Sequence, residues 1–447
     1  MTCWFWFIFV VVTILFRIDA KPTPTRPPKL LVVSYDAFRY DYFDRKVTPF
    51  MNELRMKGIF ADHMRNVFVT KTFPNHHTIS TGMYVENHGV IDSEYLDVKS
   101  NKTVKYSYDL YHYNNDILPI WTLNELNGGE RRSGVMMWPG SAFEYHKKNA
   151  TFRVPFNTTV PWKSRVDEVI SWFKHAAEPI NFGMMYIEEP DFHGHGIGIN
   201  GARFDEVLLK LDEITYYLHE KLRENNMTDV NVIHLSDHGM ATVTIDRIVN
   251  LTNYIDPKDY TTSGLSPVIH IYPRPGMNEI YKNLQKASHD TNKFDVYLKE
   301  NIPEHFHFKN NTRIGPILAV ARVGNSFETL YDSFSWYEKE FNITINEKSE
   351  FGVHGYDNTQ KEMWPFFFGV GPAFLPQCEV PAFDNVDLLP LFCEILEIEC
   401  LEVNGQLDIG GIIVSILGIL ALFLVYLKRK RAERHNAKYR VSDKRAS

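Results

Sequence analysis

Aspartate and histidine gather at three points where a hydrophobic run ends. Lys29–Tyr35 leads into Asp36, Asn181–Pro190 into Asp191 and His195, and Val230–Ser236 into Asp237 and His238. Carboxylate and imidazole together suit a divalent metal of borderline hardness, zinc above all. In α/β sheets, ligands collect outside the carboxyl ends of the parallel strands. Three acidic strand ends, two of them carrying histidine, therefore predict one rim holding a pair of zinc ions. The chemistry this points to is that of a metallohydrolase.

The elements that must position these groups alternate between buried-type strands and amphipathic helices, the pattern of a doubly wound α/β domain. Leu30–Ser34, Asn181–Ile187, Val230–Leu235 and Pro365–Val370 read as strands. Pro161–Ala177 reads as a helix with Trp162, Val166, Val169, Ile170 and Phe173 on one face. A longer apolar stripe runs through Phe204, Val207, Leu208, Leu211, Ile214, Leu218 and Leu222. Between Asn250 and Phe351, Pro and Asn interrupt the pattern, which predicts an inserted subdomain. Gly194 and Gly196 flank His195 and predict a turn there rather than a helix face.

The chain has 447 residues, 44% hydrophobic and 14% aromatic, enough for one large domain or two smaller ones. Residues 1–20 resemble a cleaved signal peptide, with an apolar run Cys3–Phe16 and a site near Ala20. Ile409–Leu427 is uncharged and of roughly the 19-residue length that spans a bilayer. Lys428–Arg431 follows at once, which predicts a cytoplasmic tail over 428–447. The expected organisation is type I, with 21–408 outside the plasma membrane. Seven sequons between the two apolar runs agree with it: Asn101, Asn149, Asn157, Asn226, Asn250, Asn310 and Asn342.

Three cysteines remain after the signal, Cys378, Cys393 and Cys400, an odd number with no disulfide framework and no Cys-based zinc motif. The formal charge is −7 overall. The tail carries nine basic residues against two acidic ones, so the remainder holds about −14. That balance excludes a nucleic-acid polymer as partner and admits a small phosphorylated substrate held by metal ions.

Five motifs in order resemble the ectonucleotide pyrophosphatase/phosphodiesterase family of the alkaline phosphatase superfamily. They are Val33-Ser34-Tyr35-Asp36, Lys71-Thr72-Phe73-Pro74-Asn75-His76, Glu189-Pro190-Asp191 with Gly194-His195, Ser236-Asp237-His238-Gly239-Met240, and His354-Gly355-Tyr356-Asp357-Asn358. Met137-Trp138-Pro139-Gly140, Leu265-Ser266-Pro267-Val268 and Gly371-Pro372-Ala373-Phe374 resemble the short, membrane-anchored members four and five.

The resemblance implies an alkaline phosphatase-like fold and cleavage of phosphodiester or pyrophosphate bonds in extracellular nucleotides or dinucleotides. It implies Thr72 as nucleophile, with a phospho-threonine intermediate and a nucleoside 5′-monophosphate product. Asp36, Thr72, Asp237 and His238 would hold one zinc, and Asp191, His195 and His354 the other. Without the resemblance, Thr72 would be read as a helix N-cap. His193 is expected behind the ligands or exposed, and His76, His77, His88, His270 and His305 are expected to be structural.

Phe73 and Phe156 stand where the family stacks the base, with Phe in place of the usual Tyr at 156. Ser93 replaces an Asn that donates to the phosphoryl oxygen in active relatives. Asp92 beside it is expected to bring negative charge. Two other readings stay open: a phosphomonoesterase, and a weakly active surface binding or adhesion protein on the same fold.

Overall fold

The computed structural model describes residues 26–274 and 277–406. The expected signal peptide, the expected span Ile409–Leu427 and the expected tail lie outside them. Among the described residues no helix is long and apolar enough to cross a membrane.

Eight strands form the main sheet: β1 (Lys29–Tyr35), β2 (Ile59–Ala61), β3 (Ser133–Met136), β4 (Phe152–Val154), β5 (Phe182–Ile187), β6 (Val230–Leu235), β7 (Phe367–Val370) and β8 (Cys378–Val380). Their order across the sheet is β8-β2-β7-β6-β1-β5-β3-β4. The run from β6 to β4 is parallel, and β7 lies antiparallel between β6 and β2. β5 and β6 are buried along their whole length, and β1 at every position except Lys29. Continuous apolar runs such as Val32–Val33 and Val232–Ile233 are what strands covered on both faces require.

The helices that serve the site are α1 (Thr72–Thr81), α2 (Trp162–Phe173), α3 (Asp191–Ile197), α4 (Ala202–Glu224), α5 (Phe334–Phe341) and α6 (Leu388–Leu396). α6 packs on β1 and α1, whereas α2 packs on α4, β3 and β5. The stripe read from Phe204 to Leu222 is the buried face of α4. α2 ends four residues before the expected Ala177. The Lys174 N–H turns back to Ser171 O at 3.1 Å and His175 N–H to Trp172 O at 3.3 Å, a tightened last turn that closes the helix.

The interrupted stretch after Asn250 is a subdomain with its own apolar cluster around Ile269, Leu284, Phe294 and Phe327. Its sheet is antiparallel, ordered Tyr260–Ser263, Val268–Pro273, Ile317–Ala321, Phe294–Leu298. Cys393 of α6 forms a disulfide with Cys400, and Cys378 is buried in β8 outside that bridge.

Candidate active site

Register brings the acidic strand ends together. Tyr35 pairs with Ile187 on one side, and Ser34 with Leu235 on the other, so the chain leaves β5, β1 and β6 at one level. The Asp36 N–H then donates to Ile187 O at 3.0 Å and the Asp191 N–H to Asp36 O at 3.1 Å. The Ala37 N–H donates to Asp237 Oδ1 at 3.2 Å.

Asp191 and His195 sit one turn apart on α3, with His195 Nε2 3.2 Å from Asp191 Oδ2. The expected turn is thus a short helix, and its glycines serve packing. A Cβ on Gly194 would stand 2.7 Å from Met240 Sδ, and one on Gly196 2.1 Å from the Phe341 ring. His193, two residues out of step with Asp191 and His195, is held by Glu189 and is partly exposed, as expected.

Three imidazoles present the same nitrogen inward. The Nδ1 atoms of His195, His238 and His354 lie 2.8, 2.9 and 3.0 Å from the carbonyl oxygens of Gly352, Gly239 and Thr70. A carbonyl only accepts, so each Nδ1 carries the proton and each neutral ring keeps a lone pair on Nε2. Those lone pairs meet other acceptors. His238 Nε2 is 3.3 Å from Asp36 Oδ1 and 3.1 Å from Asp237 Oδ2. His354 Nε2 is 3.3 Å from Asp191 Oδ1 and 3.2 Å from His195 Nε2.

Asp36 Oδ1, Asp191 Oδ1 and Asp237 Oδ2 are buried and have no hydrogen-bond donor. Buried acceptors converging on acceptors need a cation between them. The donor set fits divalent metal. The ligand atoms of Asp36, Asp237 and His238 all lie within 4.8 Å of one another, as do those of Asp191, His238 and His354. His238 borders both groups, and its ring stacks on His354 at 3.7 Å; the resemblance had placed it with one metal only.

Charge tells the same story. Burial, then the charges of Asp237 and Asp191, push the Asp36 carboxyl well above its usual value. Burial works against Asp237 and Asp191 too. What holds Asp237 at about 2 and Asp191 low is positive charge, at His238 and His76 for the one and at His195 and His354 for the other. Where those rings are neutral, a bound cation must supply that charge. Three crowded carboxylates ionise together only beside compensating positive charge.

Thr72 is the first residue of α1; the N-cap is Lys71, with no side-chain capping bond. The Thr72 hydroxyl lies 3.3 Å from His238 Nε2. Phe73 packs its ring against Tyr106 at 5.4 Å and Tyr111 at 6.2 Å, while Phe156 is 53% exposed and leans on Tyr186 at 5.8 Å. No ring contact joins Phe73 to Phe156 among the described residues.

Asp92 does not bring a bare charge to Ser93. Its Oδ2 accepts from Lys71 Nζ at 2.6 Å in a buried ion pair, and its Oδ1 accepts from the Ser93 N–H at 2.6 Å. The pair ties the Ser93 loop to the residue preceding Thr72.

Two residues behind the ligands were not legible as functional. The Tyr186 hydroxyl donates to Asp36 Oδ2 at 2.5 Å. His76 Nδ1 is 2.8 Å from Thr72 O and 3.2 Å from Asp237 Oδ2, and its Nε2 is 2.9 Å from Ser34 Oγ. His76 is buried and satisfied as expected, but its partners belong to the site. Its i,i+4 spacing from Thr72 was the available signal. Tyr186 gave none, since a buried strand tyrosine reads as packing. His77, His88 and His270 are buried away from the cluster, and His305 lies at the surface.

The profile of the family described as type I phosphodiesterase / nucleotide pyrophosphatase matches residues 30–357. Human ectonucleotide pyrophosphatase/phosphodiesterase family member 5 is 36% identical over 389 residues, covering 85% of this chain and 76% of that protein. Human bis(5′-adenosyl)-triphosphatase ENPP4 is 36% identical over 394 residues, covering 87% of this chain and 82% of that protein. The structure of an inactive variant of murine ectonucleotide pyrophosphatase/phosphodiesterase 5 in complex with AMP superposes with a TM-score of 0.78 at 34% identity. It covers 87% of this chain and 100% of that one. The α/β fold is therefore of the alkaline phosphatase-like kind that the sequence led us to expect.

Proposed function

The chain belongs to the type I phosphodiesterase / nucleotide pyrophosphatase family and is a phosphodiesterase, and from that premise we propose that it cleaves small extracellular nucleotides or dinucleotides through Thr72. The observation that carries this reading is the Thr72 hydroxyl at the head of α1, 3.3 Å from His238 Nε2 and beside carboxylate oxygens without donors. Asp36, Thr72, Asp237 and His238 would hold one zinc and Asp191, His195 and His354 another. Bound there, such ions would lower the proton affinity of the nucleophile and offset charge on the phosphoryl oxygens.

The chain's own residues do the rest. Thr72 Oγ1 forms a bond to phosphorus as the bond to the leaving group breaks, and water then opens the phospho-threonine to give a nucleoside 5′-monophosphate. The N-terminus of the ten-residue helix α1 adds favourable potential for the phosphoryl group. Phe73 and Phe156 receive the base, and Ser93 offers a hydroxyl toward the phosphoryl oxygen. Arg165, through Nη1 and Nη2 to Glu188 and Nε to Val160 O, fastens the segment after Phe156 to the end of β5.

We place residues 21–408 outside the cell. Six of the seven sequon asparagines are exposed, and Asn250 is half-buried; the Cys393–Cys400 bridge suits an oxidising compartment. The test is hydrolysis of a p-nitrophenyl nucleoside 5′-monophosphate ester by wild type and Thr72→Ala, each with and without chelator. Activity is expected only in untreated wild type. Equal activity in Thr72→Ala sinks the nucleophile assignment, and activity indifferent to chelator sinks the metals.

A further inference from the structure

We propose that the buried Lys71–Asp92 pair is a positioning clamp, which sets the Ser93 hydroxyl against the Thr72 nucleophile without touching substrate or metal. The inference rests on the phosphodiesterase reading above and adds two positioning residues to it.

A lysine beside the nucleophile of a phosphoryl-transfer site is ordinarily read as a phosphate binder. The structure spends this one elsewhere. Lys71 is extended, with φ −123° and ψ 160°, at the head of α1. The Thr72 hydroxyl faces His238 Nε2 at 3.3 Å, whereas Lys71 Nζ donates to Asp92 Oδ2 at 2.6 Å and to Leu265 O at 2.7 Å. The Lys71 side chain is 6% exposed and that of Asp92 1%. An ammonium committed to two buried acceptors has little left for a substrate phosphate.

Each member of the pair stands one residue before a group of the reaction: Lys71 before Thr72, and Asp92 before Ser93. The other carboxylate oxygen, Asp92 Oδ1, accepts from the Ser93 N–H at 2.6 Å. Short bonds therefore run from the Ser93 backbone through both side chains to the residue that carries Thr72. With its N–H so engaged, Ser93 keeps its hydroxyl as the donor toward the phosphoryl oxygen. The third anchor, Leu265 O, lies in the turn between strands Tyr260–Ser263 and Val268–Pro273, which seats the clamp in the insertion.

Backbone closes over both side chains. A Cβ on Gly264 would stand 3.0 Å from Asp92 Oδ2, and one on Gly355 3.0 Å from Lys71 Cε. Gly355 follows His354, whose Nδ1 lies 3.0 Å from Thr70 O. Residues 70, 71 and 72 thus reach, in turn, a candidate ligand, the Ser93 loop and His238.

Stability alone does not explain such a pair. Burying two charges costs about what their attraction returns, and packed apolar side chains of similar volume serve the fold as well or better. What apolar side chains cannot do is fix direction, as short charge-assisted hydrogen bonds do. The pair sits where a displacement of an ångström is felt in the rate.

The experiment measures kcat, KM and melting temperature in the full chain, on the p-nitrophenyl nucleoside 5′-monophosphate ester and with Thr72→Ala as the inactive reference. Lys71→Met or Asp92→Asn alone strands a buried charge and is expected to lower stability. Lys71→Met/Asp92→Asn removes both charges at nearly constant volume. That double variant should melt close to wild type, with kcat lowered roughly tenfold to a hundredfold and KM within about twofold. In a Ser93→Ala background the same two changes should cost no more than about threefold further, because the clamp acts through Ser93. A double variant with wild-type kcat, or one that loses kcat only as its melting temperature falls, overturns the clamp. So does an undiminished loss in the Ser93→Ala background. These outcomes leave the phosphodiesterase reading standing. A wild type without activity, or a Thr72→Ala chain as active as wild type, removes that reading and the clamp with it.

Discussion

Tyr186 shows how much of this site is decided one atom behind the ligands. Burial and the nearby Asp36 charge push its hydroxyl well above the ordinary tyrosine value, so it stays protonated and remains a donor. It therefore fixes Asp36 Oδ2 and leaves Oδ1 turned to His238 Nε2. Removing such an outer hydrogen bond typically weakens metal binding by about 10- to 100-fold. Tyr186→Phe should accordingly release bound divalent metal at lower chelator concentration than wild type, with its melting temperature in saturating metal unchanged. Equal retention would mean that backbone contacts alone orient Asp36. Residue types at strand ends announced Asp36, Asp191, Asp237 and their histidines in the sequence. Tyr186 stayed hidden because a hydroxyl's partner on a neighbouring strand is set by register, which no local pattern records.

At the scale of elements, the strands were the legible part, since Leu30–Ser34, Val230–Leu235 and their neighbours are unbroken apolar runs. α3 was not legible. Gly194 and Gly196 have low helix propensity, and local sequence gives no sign that Met240 and Phe341 will press against that helix from other parts of the chain. The glycines exist because those contacts leave no space for a Cβ. Gly196→Ala must push the Phe341 ring, or α3, aside, at a cost of about 1–3 kcal/mol for overpacking. Because His195 is the adjacent residue, the displacement should reach the Asp191–His195 pair. The expected result is a lower melting temperature together with weakened metal retention. Adding Phe341→Ala should restore retention in the double variant even if stability stays low. A Gly196→Ala chain that binds metal normally would show that α3 yields without moving His195.

Across the whole molecule, the division into a parallel sheet and an interrupted insertion could be read from the sequence, but the antiparallel order of the insertion could not. Its strands pair across helix Met277–Thr291 and long loops, and such non-local pairing leaves no periodic trace. The two parts share one property that does not depend on the active site, a set of histidines buried as neutral rings. The His77 and His270 rings are held down at about 3, and His88 and His234 well below their usual value, in each case first by burial. Hydrogen bonding agrees at two of them: the Val90 and Gly315 N–H groups donate to Nδ1 of His88 and His270, which protonation would forbid.

The unfolded chain takes up these protons near pH 6.5, whereas the folded chain takes up the His77 and His270 protons only at about 3. Stability from these groups is therefore complete above about pH 6.5 and falls as the solution is acidified, by roughly 1.4 kcal/mol per pH unit for each ring. Four such rings would offset much of a net stability of about 5–15 kcal/mol within two pH units. Melting temperature should drop steeply from pH 7 to pH 5, in the presence of chelator as well as in excess zinc. His77→Phe, which keeps a ring among Tyr111, His88 and Tyr145 but cannot titrate, should shallow that slope by about one proton. An unchanged slope would place the acid sensitivity in the metal ligands instead, and it would then disappear when chelator has already stripped the site.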